Sequence, residues 1–147
     1  MTLLSVQDLT LKIRRTPILH GVSFEMQPGE VFGLVGESGS GKSMTALALM
    51  QLLPQGAVAG GQARLAGTGL LSLSERRMCA LRGNEIGMIF QEPMTALNPV
   101  FTVGKQLTEG LRLHKGMSKS QAEERALDLL RQVRIPEPER RLQQFPH

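Results

Sequence analysis

The chain has 147 residues, which is long enough for one domain with a hydrophobic core, and its apolar content of 41% is typical of globular proteins. The net charge of +4 is scattered, and aromatic residues make up only 3%, so no stacking platform for a nucleic acid is expected. No signal peptide is recognisable, and no apolar stretch is long enough to span a bilayer. The single cysteine, Cys79, favours a reducing compartment, and we expect its side chain to be buried.

The first part of the sequence predicts strands around a glycine-rich loop. Residues 3–13 alternate as in a half-buried strand, and residues 18–26 form a second extended run before a turn at Pro28 and Gly29. Residues 31–35 are almost entirely apolar, which predicts a strand buried on both faces of a parallel sheet. Residues 43–53, which follow the loop, predict a helix that Pro54 closes.

The second part predicts mainly helices. Residues 56–69 predict a loop with a weak hairpin, and Ser72 with Glu75 predicts a capping box for a short helix that ends near Gly83. We expect a strand at residues 85–90, and then a loop marked by Pro93, Asn98 and Pro99. Two helices are expected at residues 102–114 and 120–133, and the second has a capping box formed by Ser118 and Gln121.

Residues 36–43 carry the clearest chemical signal, the pattern G-x-x-x-x-G-K-S of a phosphate-binding loop. Its glycines let the backbone N–H groups approach phosphate oxygens closely, and the helix that follows directs its positive end to the same place. Lys42 supplies charge to the β- and γ-phosphates, and the Ser43 hydroxyl is the expected Mg²⁺ ligand. The predicted nucleotide site comprises Gly36, Glu37, Ser38, Gly39, Ser40, Gly41, Lys42 and Ser43.

Several protein classes share this loop. A GTPase would need an Asn-Lys-x-Asp guanine reader, and neither Asn84 nor Asn98 is followed by Lys. On the loop alone, a nucleotide kinase remains open.

Gln91 begins a second motif, Gln-Glu-Pro-Met-Thr-Ala-Leu-Asn-Pro, which resembles the Q-loop of ABC ATPases and is similar to the branch of dipeptide, oligopeptide and nickel importers. Residues 19–24, 28–30 and 144–147 also resemble family segments, so the resemblance covers essentially the whole chain. It implies an α/β fold, with a P-loop NTPase (RecA-like) core, an antiparallel β arm and the start of an inserted α-helical subdomain. The implied division is a β arm and core at residues 1–91 and a Q-loop with an incomplete helical subdomain at residues 92–147.

The resemblance implies an ATP-binding subunit of an ABC importer, which couples ATP binding and hydrolysis to the uptake of peptides or a related small solute such as nickel. In that family the residue corresponding to Gln91 contacts Mg²⁺ and the attacking water, so Gln91 is the expected catalytic residue. The implied partners are a second ABC ATPase subunit, transmembrane permease subunits and, indirectly, an extracytoplasmic solute-binding protein. The implied location is peripheral, on the cytoplasmic face of the membrane.

The sequence also departs from the family pattern. Neither Ile13 nor Arg14 supplies the aromatic ring that usually stacks on adenine. The sequence contains no Leu-Ser-Gly-Gly signature and no apolar run that ends in Asp-Glu. We therefore expect a fragment that is inactive alone. Three alternatives stay open, namely a non-transport ABC ATPase, a P-loop nucleotide kinase and a pure binding module.

Overall fold

The first part of the molecule is built on an antiparallel β-sheet. The computed structural model describes residues 1–147, apart from the side chains of Pro93 and Met94. The chain forms two compact units, Met1–Arg82 and Gly83–His147. The elements of the first unit are β1 (Leu4–Ile13), β2 (Thr16–Met26), α1 (Lys42–Leu49), β3 (Ala57–Leu65), β4 (Thr68–Gly69) and α2 (Glu75–Leu81).

The strand order in the sheet is β2-β1-β3-β4, and every neighbouring pair is antiparallel. The buried residues of β1 are Val6, Leu9 and Leu11, so the two-residue period of a half-buried strand holds from Leu9 to Leu11 and is shifted by one residue after Val6. The buried apolar side chains of the sheet are Val6, Leu9, Leu11, Leu19 and Ala63. The predicted antiparallel arm is confirmed.

β3 replaces the loop that the glycine content of residues 56–69 predicted. The hairpin with β4 is present, but its first arm is a nine-residue strand that pairs along β1. A β-bulge accommodates the glycines: Asp8 has a φ of 48° and Gly61 a φ of 88°, and the register with β3 shifts between Gln7 and Thr10. A Cβ at Gly61 would collide with the Asp8 carbonyl oxygen. The glycine therefore belongs to a strand here, because only glycine fits the bulge.

The two other predicted strands are wrong. Residues 31–35 and 87–90 have no regular secondary structure, and Ile86 forms only an isolated bridge. The side chains of Val31 and Val35 are 97% and 95% exposed. An apolar run favours burial, but a strand also needs a hydrogen-bonded neighbour, and among the described residues these runs have no ladder partner.

The helices of the first unit also differ in detail from the prediction. α1 ends at Leu49 rather than at residue 53, because Gln51 takes a left-handed φ of 50° and the Leu52 N–H donates to the Leu47 carbonyl at 2.9 Å. The capping box at Ser72 is wrong: Ser74 is the N-cap of α2, and the carboxylate of Glu75 binds Arg82 instead. The Cys79 side chain is exposed, which corrects the expectation of a buried thiol.

The second unit contains α3 (Pro93–Ala96), α4 (Val103–Lys115), α5 (Lys119–Gln132) and α6 (Pro138–Gln143). The capping box of Ser118 and Gln121 is confirmed at the start of α5, and Thr102 caps α4. α6 was not predicted. A 2.6 Å ion pair between Arg131 and Glu139 joins it to α5. Over the part of the chain that the structure describes, no helix combines the length and the apolar character that crossing a membrane requires.

Candidate phosphate-binding site

The loop between residues 36 and 41 depends on its glycines. Gly39 and Gly41 have φ values of 81° and 91°, in the left-handed region that other residues rarely adopt. A Cβ on Gly41 would also lie 2.5 Å from the Leu19 side chain, and one on Gly36 would lie 2.5 Å from Ser40 Oγ. Gly36 and Gly41, the two fixed glycines of the loop pattern, thus each have a local steric reason in this chain, whether or not a ligand is bound.

The N-terminus of α1 offers free backbone donors. Gly41 is the N-cap and contributes no side-chain hydrogen bond, and the Thr45 N–H makes the first helical bond, to the Gly41 carbonyl at 2.9 Å. The amides of Lys42 and Ser43 precede that bond and have no acceptor within the helix. Unsatisfied amides at the positive end of a helix form a site for an anion. Thr45 strengthens the turn, because its hydroxyl also donates to Gly41, at 2.9 Å.

The ammonium group of Lys42 lies inside the loop. Nζ donates to the carbonyl oxygens of Gly36 at 2.7 Å and Glu37 at 2.6 Å, and to Ser40 Oγ at 3.1 Å. An ammonium has three donors, and the loop satisfies all of them. A phosphate that enters the loop would replace these neutral acceptors by charged oxygens, which form stronger hydrogen bonds.

The remaining loop residues are open to solvent. Glu37, Ser38 and Ser43 are exposed, and the Ser40 N–H donates to the Glu37 carbonyl at 3.1 Å to close a turn. The Ser43 hydroxyl on the first turn of α1 is a hard oxygen ligand of the kind that Mg²⁺ prefers. The open space around Gly39, where an added Cβ would meet no atom within 4 Å, leaves the loop accessible.

Gln91 belongs to the second unit, where it is exposed at a bend two residues before α3. It does not follow a regular strand, because residues 87–90 do not form one. The structure therefore corrects the local context on which Gln91 was predicted. Its catalytic and Mg²⁺-binding role stays a prediction.

Sequence reasoning missed Gln106, which fixes the loop after Gln91. The Gln106 amide accepts from the Asn98 N–H at 2.8 Å and donates to the carbonyls of Asn98 and Phe101, each at 2.9 Å. Arg82 and Gln51 were also missed: Arg82 binds backbone carbonyls just after α1, and the Gln51 side chain binds the carbonyls of Leu70 and Leu73. No local pattern marks these contacts, because their partners are N–H and carbonyl groups of the backbone, which every residue type offers.

Residues 19–147 match the family model described as ABC transporter, and the chain belongs to this family. It is 52% identical over 134 residues to the probable peptide ABC transporter ATP-binding protein y4tR of Sinorhizobium fredii, covering 90% of this chain and 40% of the relative. It is 48% identical over 151 residues to the oligopeptide transport ATP-binding protein OppD of Bacillus subtilis, covering 99% of this chain and 42% of the relative. The chain thus spans less than half the length of these relatives.

A solved dimeric, post-hydrolysis structure of the ATP-binding cassette MJ0796, bound to ADP and Pi, has a similar fold. The TM-score is 0.79 at 23% identity, with 97% of this chain and 61% of that chain covered. The predicted fold class, a P-loop NTPase with an antiparallel arm, is confirmed by this likeness and by the sheet.

Proposed function

We propose that the chain is part of an ATP-binding subunit of an ABC importer, which couples ATP binding and hydrolysis to the uptake of peptides or a related small solute such as nickel. The observation that carries the proposal is the loop of residues 36–43, where the Lys42 ammonium group lies inside the loop and the first amides of α1 lack acceptors within the helix. The peptide cargo is supported by the relatives, whose names describe peptide and oligopeptide transport.

The residues of the site would have different roles in binding and hydrolysing ATP. The loop amides and Lys42 bind and orient the phosphates, and they stabilise the negative charge that develops during phosphoryl transfer. Ser43 and Gln91 would hold Mg²⁺, and Gln91 would also orient the attacking water. Bound Mg²⁺ neutralises charge on the β- and γ-phosphates. What these side chains contribute is positioning and electrostatics rather than covalent chemistry.

The proposed partners are a second ABC ATPase subunit, permease subunits in the membrane and, through them, an extracytoplasmic solute-binding protein. The proposed location is the cytoplasmic face of the membrane. The dimer is supported by the related cassette, whose solved structure is dimeric. We also propose that residues 1–91 act as arm and nucleotide core, and that residues 92–147 serve as Q-loop and helical segment toward the permease.

We further propose that these 147 residues bind ATP but do not turn it over alone. Lys42, Ser43 and Gln91 can bind phosphates and Mg²⁺, but none of them is a carboxylate that could act as the general base. A steady release of phosphate from ATP by the purified chain would contradict this part of the proposal.

The test of ATP binding is Lys42→Ala. We expect the ATP affinity to fall about 100-fold, which is ~2.7 kcal/mol, because the variant loses the charge-assisted hydrogen bonds between the ammonium group and the phosphate oxygens. The thermal unfolding midpoint should stay near that of the parent chain, since the partners of Lys42 are exposed loop atoms. Lys12→Ala removes an exposed lysine of β1 and is the matched control. Equal ATP affinity in the Lys42 variant, measured by titration calorimetry, would refute the phosphate-loop assignment.

A further inference from the structure

Arg82 binds the C-terminal end of α1, the helix whose N-terminal end forms part of the phosphate loop. α1 has eight residues, so its two ends lie only ~12 Å apart. At the far end, the carbonyls of Met50 and Gln51 accept hydrogen bonds from Arg82, from Nε at 2.8 Å and from Nη2 at 3.1 Å. Carbonyls at the end of a helix lack partners within it, and a cation there also interacts favourably with the helix dipole.

Glu75 orients this guanidinium. Arg82 Nη1 donates to one carboxylate oxygen of Glu75 at 2.6 Å, and Nη2 donates to the other at 3.3 Å. The hydrogen bond from Arg82 is the main reason why the pKa of Glu75 is lowered. The Arg82 side chain is 17% exposed, so it is largely enclosed, whereas most arginines of this chain are open to solvent. The planar fork of arginine thus joins α2 to the end of α1 with a defined geometry.

The Gln51 side chain also fixes the C-terminal end of α1, by hydrogen bonds to other parts of the first unit. Its side-chain amide donates to the carbonyls of Leu70 at 2.6 Å and Leu73 at 3.0 Å. Leu70 is buried, and its own N–H donates to the Ala63 carbonyl of β3 at 2.7 Å. The end of α1 is therefore tied both to α2 and to the sheet, while its beginning forms the phosphate loop.

We propose that Arg82, oriented by Glu75, is a positioning residue for the phosphate site and acts through α1. The proposal rests on the function proposed above. A short helix moves as a rigid body, so a shift at Met50 and Gln51 moves the amides of its first turn and Lys42. Arg82 thus fixes the direction from which the loop meets the phosphates, without contacting the nucleotide.

If Arg82 only stabilises the fold, its substitution changes the unfolding midpoint, whereas a positioning residue also changes the affinity for phosphate ligands. Arg82→Lys keeps the positive charge but replaces the planar fork by a point charge, which cannot reach two carbonyls and a carboxylate together. Glu75→Gln keeps an oxygen acceptor but loses the charge that orients the guanidinium. Val6→Ala, at a buried position of β1 outside α1 and α2, lowers stability and is the matched control.

The experiment measures ATP and inorganic pyrophosphate binding by calorimetry, together with thermal unfolding, at a temperature where every variant is folded. We expect Arg82→Lys to weaken both ligands about tenfold, which is ~1.4 kcal/mol, and Glu75→Gln to weaken them less. Val6→Ala should lower the unfolding midpoint and leave both affinities unchanged. A common loss for ATP and pyrophosphate places the effect at the phosphates rather than at the base.

The outcomes separate the two proposals. If the parent chain and Arg82→Lys bind ATP equally well, Arg82 only stabilises the fold and the positioning role is overturned. If affinity follows the unfolding midpoint in all variants, including Val6→Ala, the positioning role is likewise overturned. If the parent chain binds neither ATP nor pyrophosphate, the proposed function fails, and the positioning role fails with it.

Discussion

The antiparallel sheet buries apolar side chains, whereas most residues of the apolar runs at 31–35 and 85–90 are exposed. Leu9 and Leu11 of β1 are fully buried, whereas Val31, Val35 and Ile89 are almost fully exposed. Their hydrophobicity does not separate them. The difference is that β1 has a hydrogen-bonded strand on each side, and the two runs have none among the described residues. An apolar pattern thus specifies which side chains favour burial, and a partner strand decides whether burial occurs.

Distance along the chain accounts for part of this difference. β1 and β2 are joined by a two-residue turn in which Arg14 has a left-handed φ of 56°, so their pairing costs little loop-closure entropy. β3 arrives later in the chain and still pairs with β1 along most of its length, and the close approach of the two backbones at the bulge of Asp8 and Gly61 requires a glycine.

The largest expected effect is at the centre of the sheet. Leu9→Ala should lower the free energy of unfolding by ~3 kcal/mol, because it removes a fully buried side chain and leaves a cavity. Lys12→Ala, on an exposed position of the same strand, should change it by less than ~0.5 kcal/mol. Urea unfolding measures both. A Leu9 variant as stable as the Lys12 variant would mean that β1 does not form the core, and the contrast with the exposed runs would fail.

The sequence contains enough information for the elements whose signals are local. The alternation in β1, the capping box of Ser118 and Gln121, and the loop of residues 36–43 each depend on neighbours within a few residues. Their positions were therefore predictable to within a few residues at each end.

The remaining features depend on contacts between distant residues. Arg82 meets Met50 and Gln51, which precede it by about 30 residues, and nothing in the local sequence indicates that contact. α6 has only six residues, so its own sequence gives a weak signal, and its links to α4 and α5 join residues of different elements, as in the ion pair of Arg131 with Glu139. Gly60 and Gly61 indicate a loop when they are considered alone. They become part of a strand only beside β1, where Gly60 pairs with Thr10 and Gly61 approaches Asp8 at the bulge.

The next expected effect tests that bulge. Gly61→Ala should cost ~2 kcal/mol, because alanine at positive φ is strained and its Cβ would collide with the Asp8 carbonyl. Gly87→Ala is the matched control within the second apolar run: a Cβ there meets no atom within 4 Å, so we expect a change below ~0.5 kcal/mol. If thermal unfolding shows equal costs, the bulge does not constrain the sheet.

The smallest expected effect is the most direct test of the exposed run. Val35→Thr preserves shape and adds a hydroxyl, which costs free energy only if the side chain is buried without a hydrogen-bond partner. Because Val35 is almost fully exposed, we expect a change in the free energy of unfolding below ~0.5 kcal/mol. The same substitution at the buried Val6 of β1 should cost ~1–3 kcal/mol. Urea unfolding of both variants gives the comparison directly. Equal, large costs would show that residues 31–35 are buried in solution, and partner strands would then no longer explain why the two regions differ.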